Sequence, residues 1–269
     1  MSLLVIGTGL CYAAAVGGYA GFLSTSNKNL GRAASALVAA GLLLHYLALL
    51  QKSGWGNTVP YDDLYGSLSL FAWLLAATYL GLELFHRERA VGALVMPVVF
   101  IVFVLSVIRT PVGPVQVPAK GPLLALHITL NVLGYAAFAL SFVLSVIYLI
   151  QNQLLRHHRL RSFVWRFPAL EMLERMSRSS VAVGLISLIV GVAFGFFWFN
   201  RLEGTYWNGD PKQIITLVIF AVYAGYLWVG RSAAWRGARA SALCVANFMV
   251  VLFSYSVVNL YLSGFHRFF

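Results

Sequence analysis

The sequence predicts an all-α fold, a polytopic membrane helical bundle of about eight transmembrane helices with both termini on the outer side. Three observations predict it. Hydrophobic residues make up 60% of the chain and charged residues only 10%, with a mean hydropathy of +0.82. A water-soluble domain of 269 residues cannot bury that much apolar surface and still present a wetted exterior. Apolar stretches of about 20 residues recur, each long enough to cross the hydrocarbon core with its backbone polar groups bonded internally. Finally, Lys and Arg gather in every second loop.

Eight spans follow in order: about 2–24, 34–51, 67–85, 90–108, 122–150, 180–199, 213–230 and 240–262. No Lys or Arg precedes Lys28 and no small-residue cleavage site stands out, so the first span reads as a retained helix rather than a signal peptide. The stretch KSGWGNTVPYDDLYGSLS (Lys52 to Ser69) mixes Gly, Pro, Asp and aromatics before the third span. Between the fourth and fifth, RTPVGPVQVPAKGP carries Pro111, Pro114, Pro118 and Pro122 and should run extended. Between the sixth and seventh lies EGTYWNGDPKQ (Glu203 to Gln213), and SGFHRFF closes the chain. No linker is long enough to separate domains, and residues 1–269 read as one transmembrane domain.

The net charge of +11 resembles that of a nucleic-acid binder until its distribution is examined. Loops 25–33, 86–89, 151–179 and 231–239 hold 13 of the 19 Lys and Arg residues. The opposite set holds six: Lys52, Arg109, Lys120, Arg201, Lys212 and Arg267. The positive-inside rule puts the Arg-rich loops in the cytoplasm, where anionic lipid accounts for them without nucleic acid. Cys11 and Cys244 both fall inside spans and no CxxC occurs, so the chain offers no thiol pair for disulfide exchange and no CxxCH for thioether attachment of haem.

The histidines divide into two groups. His86, His157 and His158 lie among arginines and read as solvated loop residues. His45, by contrast, sits inside the second span, where an ionisable group is costly. It is either a functional group or a neutral imidazole bonded to a neighbouring helix. His127 enters the fifth span and His266 leaves the eighth, so both belong at the outer face. Imidazole is a common metal ligand and an axial ligand to haem iron. Interfacial packing and ligation both remain open from spacing alone. Trp55, Tyr61, Tyr65, Tyr206 and Trp207 also suit the interface as simple anchors.

Several segments together, in order, resemble one family. His45 with TVPYDDLYGSLSLFAW is similar to the intramembrane histidine and following Pro-x-x-Asn-x-Tyr-Glu segment of cytochrome c assembly membrane proteins of the CcsA, ResC, CcmC and HemX type. Pro60, Leu64, Tyr65, Ser67, Leu68 and Trp73 fit; Asp63 and Gly66 stand where Asn and Glu are usual. LLALHITLNVLGYAAFALSFVLSVIYLI resembles the first outer histidine and its span, with His127 in the ligand position. LEMLERMSRSSVAVGLISLIVGVAFGFFW resembles the approach to the family's tryptophan-rich WWD loop, and WRGARASALCVANFMVVLFSYSVVNLYLSGFH the last span, ending at His266. The loop itself is degenerate. Against Trp-Gly-x-Tyr-Trp-x-Trp-Asp-Pro-Lys-Glu it keeps Gly204, Tyr206, Trp207, Asp210, Pro211 and Lys212, while Glu203 and Gly209 replace two tryptophans.

The resemblance implies a multi-pass protein of the bacterial cytoplasmic (inner) membrane that binds haem b as cargo and delivers it for cytochrome c biogenesis. It would be a carrier or a subunit of a haem lyase complex rather than a stand-alone enzyme. His127 and His266 would be the axial ligands of haem iron and His45 a transient one. Tyr206 and Trp207 supply stacking surface. Arg201, Lys212 and Arg267 are the nearest outer cations for propionates. Asp210 with Pro211 is expected to cap the seventh span. The implied partners are a ResB/CcsB-like membrane protein, apocytochrome c and thioredoxin-like thiol reductants on the outer side. The alternative is a HemX-like regulator or assembly scaffold with weakened haem binding.

Overall fold

The structure, a computed structural model, describes residues 2–53, 64–108, 121–157, 167–207, 209 and 211–253. Within these, eight α-helices follow one another with no strand: α1 (Leu3–Thr25), α2 (Lys28–Lys52), α3 (Leu64–His86), α4 (Gly92–Ile108), α5 (Pro122–Arg156), α6 (Leu170–Glu203), α7 (Pro211–Val229) and α8 (Ala238–Phe253). A short 3-10 turn, Ala233–Trp235, joins the last two. Five of the helices are long and apolar enough to cross a membrane, and three shorter apolar ones lie at 92–108, 213–229 and 238–253. His266, Arg267 and Asp210, together with the stretches around Pro60 and Pro111, lie outside the described residues.

Two helices start earlier than hydropathy predicts. Asn27 caps α2, its side chain accepting from the Asn29 N–H at 2.9 Å, so the helix begins at Lys28 rather than near residue 34. Helix α6 begins at Leu170, well before 180, and α5 runs on to Arg156. Apolarity reports where hydrocarbon begins, whereas Leu, Gln, Glu, Met and Arg continue a helix beyond it. Arg156, Arg175 and Arg178 are therefore helical rather than loop residues.

Helices α1 and α2 pack antiparallel through small residues, with Gly18 against Ala34 and Gly41 against Tyr12. Helix α4 meets α1 where Gly92 faces Tyr19 and Tyr79. Phe138 of α5 stacks on Tyr223 of α7 at 3.8 Å, and Phe142 on Phe248 of α8 at 4.8 Å. Two four-helix groups result, α1–α4 and α5–α8. His86 links them, its Nε2 lying 3.0 Å from Ser179 Oγ on α6. That half-buried bridge corrects the expectation of a solvated loop histidine.

The polarity of the bundle is that of a membrane protein. Leu10, Leu43, Leu84, Phe85, Ile101 and Ile186 point outward, while His45, Glu83, Ser141, Ser145, Ser177 and Asn247 are buried inside. Polar groups inside such a bundle bond across helices in place of water. Ser141 Oγ, for instance, lies 3.1 Å from Ser177 Oγ and 2.7 Å from Cys244 Sγ.

Candidate functional site where α5 begins and α6 ends

Helices α5 and α6 are matched antiparallel in equal steps. His127 faces Gly195, Asn131 faces Gly191, Phe138 faces Gly184, and Ser145 bonds to Ser177. His127, Asn131 and Phe138 of α5 thus each enter a gap that a glycine leaves on α6. A Cβ at position 195 would collide with the His127 ring, and one at 191 would lie 3.0 Å from Asn131 Nδ2.

His127 is half-buried there, its Nδ1 2.8 Å from the Gly191 carbonyl oxygen. A carbonyl only accepts, so Nδ1 carries a proton, and in the neutral imidazole the lone pair is then on Nε2. Asn131 Nδ2 donates to the His127 carbonyl oxygen at 2.7 Å and passes 3.1 Å from Nδ1. An imidazole held in this tautomer can ligate a metal ion through Nε2.

One turn further along, buried Leu124, Trp198 and Phe199 form a separate apolar cluster with Leu123, Ile128 and Leu202 around it. The loop then begins. Gly204 ends α6 at φ +71°, its N–H donating to Asn200 O at 2.9 Å. Thr205 ties the turn: its hydroxyl donates to Trp207 O at 3.1 Å and lies 3.3 Å from the Trp207 N–H. Tyr206 and Trp207 are left 53% and 45% exposed, so both rings are open to stacking. Arg201 is exposed on the last turn of α6, and Pro211 opens α7 as its first residue, followed by Lys212.

Residues 61–266 match the family described as cytochrome C assembly protein. The chain belongs to that family. It is 27% identical over 273 residues to the cytochrome c biogenesis protein CcsA of Synechococcus sp. (strain CC9605), covering 92% of this chain and 90% of the relative. It is 27% identical to CcsA of Guillardia theta over 229 residues, 78% of this chain and 76% of the relative. Protein HemX of Brevibacillus brevis is 26% identical over 246 residues, 91% of this chain and 90% of the relative.

Within this cytochrome c assembly protein the sequence-predicted residues do not all meet. His127, Arg201, Tyr206 and Trp207 share one end of the α5–α6 pair. His45 lies in the other helix group and is buried, with Nδ1 3.2 Å from Tyr12 OH and Nε2 2.9 Å from Ser69 Oγ. Phe103 packs edge-on against its ring at 5.0 Å. Asn131, Gly191 and Gly195 escaped the sequence reading. Their signal was present: His127 and Asn131 are four apart on one helix face, and two glycines four apart inside an apolar span mark a close approach.

Proposed function

We propose that this cytochrome c assembly protein binds haem b as cargo and presents it at the outer membrane face for attachment to apocytochrome c. His127 and His266 would serve as the axial ligands of its iron. Tyr206 and Trp207 stack on the porphyrin, and Arg201, Lys212 and Arg267 hold the propionates by charge-assisted hydrogen bonds. Asp210, directly before Pro211, would cap the helix that begins there and so orient the loop. His45 is an earlier docking point for haem moving outward. A ResB/CcsB-like membrane protein completes the complex, and thioredoxin-like proteins keep the acceptor thiols reduced. The chain itself contributes binding and orientation; the thioether bonds form on the thiols of the apocytochrome.

One observation carries this proposal. The Gly191 carbonyl holds a proton of His127 on Nδ1, which in the neutral imidazole puts the lone pair on Nε2, at the same end of the bundle as two exposed rings. The test is the absorption spectrum of protein purified in detergent. Wild type is expected to show a low-spin bis-histidine haem, and His127→Ala and His266→Ala each to lose it. A wild-type protein that stays haem-free after reconstitution with excess haem would refute the proposal.

A second function is favoured by the loop. Gly209 stands where the family's WWD pattern has tryptophan, and the chain aligns along its length with protein HemX. A regulator or assembly scaffold with weakened haem binding fits those two facts. Deleting the gene separates the two: loss of c-type cytochromes marks haem delivery, and normal levels mark the scaffold.

A further inference from the structure

We infer that Gly191, Gly195 and Asn131 form a positioning device that sets the ring plane and tautomer of His127, with the Gly191 carbonyl as the hydrogen-bond partner that tunes its Nε2 toward iron. The inference rests on the haem-binding function proposed above and adds to it the residues that govern the ligand.

The geometry begins with how helices cover their own carbonyls. A side chain leans toward the N-terminus and lies over the turn before it, so residue 195 would normally shield the carbonyl of residue 191. Glycine at 195 leaves that carbonyl open from the side, and the His127 ring occupies the opening. A carbonyl oxygen has two lone pairs and can accept this bond in addition to its helical one. Glycine at 191 makes room for Asn131: a Cβ there would lie 3.0 Å from Asn131 Nδ2 and 3.1 Å from Leu130 Cβ.

Asn131 fixes the remaining freedom. Its Nδ2 donates to the His127 carbonyl at 2.7 Å. A protonated Nδ1 cannot accept from that amide, so their 3.1 Å separation is a contact rather than a bond. Flipping the amide would set Oδ1 against the carbonyl oxygen, two acceptors face to face. The amide therefore stays as it is, and the ring is held between it and Gly191. An imidazole that donates from Nδ1 is a more basic ligand at Nε2, which favours ferric over ferrous iron.

The experiment replaces the imidazole. His127→Gly is reconstituted with haem and supplied with imidazole, 4-methylimidazole or 1-methylimidazole. The first two retain an N–H when bound to iron; the third is the same size as the second and has none. All three are expected to restore a low-spin spectrum. Only the N–H ligands should restore the wild-type midpoint potential, with 1-methylimidazole higher by about 59 mV for each tenfold loss of ferric preference. Equal potentials for 4-methylimidazole and 1-methylimidazole would overturn the inference.

Gly195→Ala tests it in the intact ligand, with melting temperature as the control for folding. A folded Gly195→Ala protein should lose haem at least tenfold faster, the usual scale for disturbing a ligand's outer partner. Haem loss and potential indistinguishable from wild type would likewise overturn it. If none of the three imidazoles enters the cavity, or if Gly195→Ala does not fold, the other arm decides. Failure of the wild type itself to hold haem, or retention of a wild-type spectrum by His127→Ala, counts against the proposed function and is told apart from either result.

Discussion

At Gly209 the backbone takes φ +75°, in the left-handed region where a side chain costs roughly 1–2 kcal/mol. By its resemblance to the WWD loop this position would carry a tryptophan, whose side chain would be strained at this φ. Restoring the residue should not restore the platform. Gly209→Trp is expected to leave haem retention no better than wild type, measured as the rate of haem transfer to an apo-globin acceptor; markedly slower transfer would show that the loop readily accepts the ring. Trp207→Ala should speed the transfer by up to about tenfold, since a stacked aromatic contributes roughly 0.5–1.5 kcal/mol. His127, Tyr206 and Trp207 were legible in the sequence because each belongs to an ordered motif. Asn131 and Gly195 left only their four-residue spacings there, which acquire meaning once the opposing helix is in register.

At the scale of the helix, the α1–α4 group is tied by one carboxylate. Glu83 of α3 is 1% exposed. Its carboxylate accepts from Tyr19 of α1, Ser35 of α2 and, at 2.6 Å, Tyr79 of α3. Arg89, in the turn before α4, lies 3.6 Å away with its side chain 35% exposed. Three hydroxyls from three helices thus end on two oxygens, and removing the carboxylate leaves the buried Tyr19 and Tyr79 hydroxyls unsatisfied at about 1–3 kcal/mol each, whereas Ser35 keeps the Gly31 carbonyl at 3.0 Å. Glu83→Ala should therefore lower Tm in detergent well below that of Arg89→Met, whose ion pair reaches the surface and is screened. Equal losses would mean that the ion pair, not the hydroxyls, holds the helices together. The sequence revealed Glu83 only as an acid near the end of a span. Its hydroxyl partners stand 64, 48 and four residues away, so only the packing of α1 and α2 against α3 brings them together. Apolar helices themselves were legible because hydropathy reports membrane contact directly; the early starts of α2 and α6 were not, because capping and polar helix formers act beyond the hydrocarbon.

Across the whole molecule, the two helix groups separate two histidines that the resemblance assigns to one haem route. His127 sits near the end of α5 and α6, opposite Gly195, while His45 is held between α1 and α3 by Tyr12 and Ser69. Haem arriving at His45 would have to displace at least one of those hydroxyls, since both ring nitrogens are engaged. A docking role for His45 and a structural one then predict different things. If His45 lies on the path by which haem is loaded in the cell, His45→Gln should copurify with much less haem than wild type. The same protein should reach full occupancy when haem is added to it in detergent, because haem then reaches the site directly and bypasses the path. Glutamine keeps a donor and an acceptor for Tyr12 and Ser69, so the packing of α1 on α2 is retained and Tm should stay near wild type. Normal haem content in purified His45→Gln would leave His45 as a buried polar contact between helices. Low content that reconstitution cannot repair would show instead that the two helix groups are energetically coupled, with α1–α4 supporting the site on α5 and α6 through the His86–Ser179 bridge and the packing of α3 against α5.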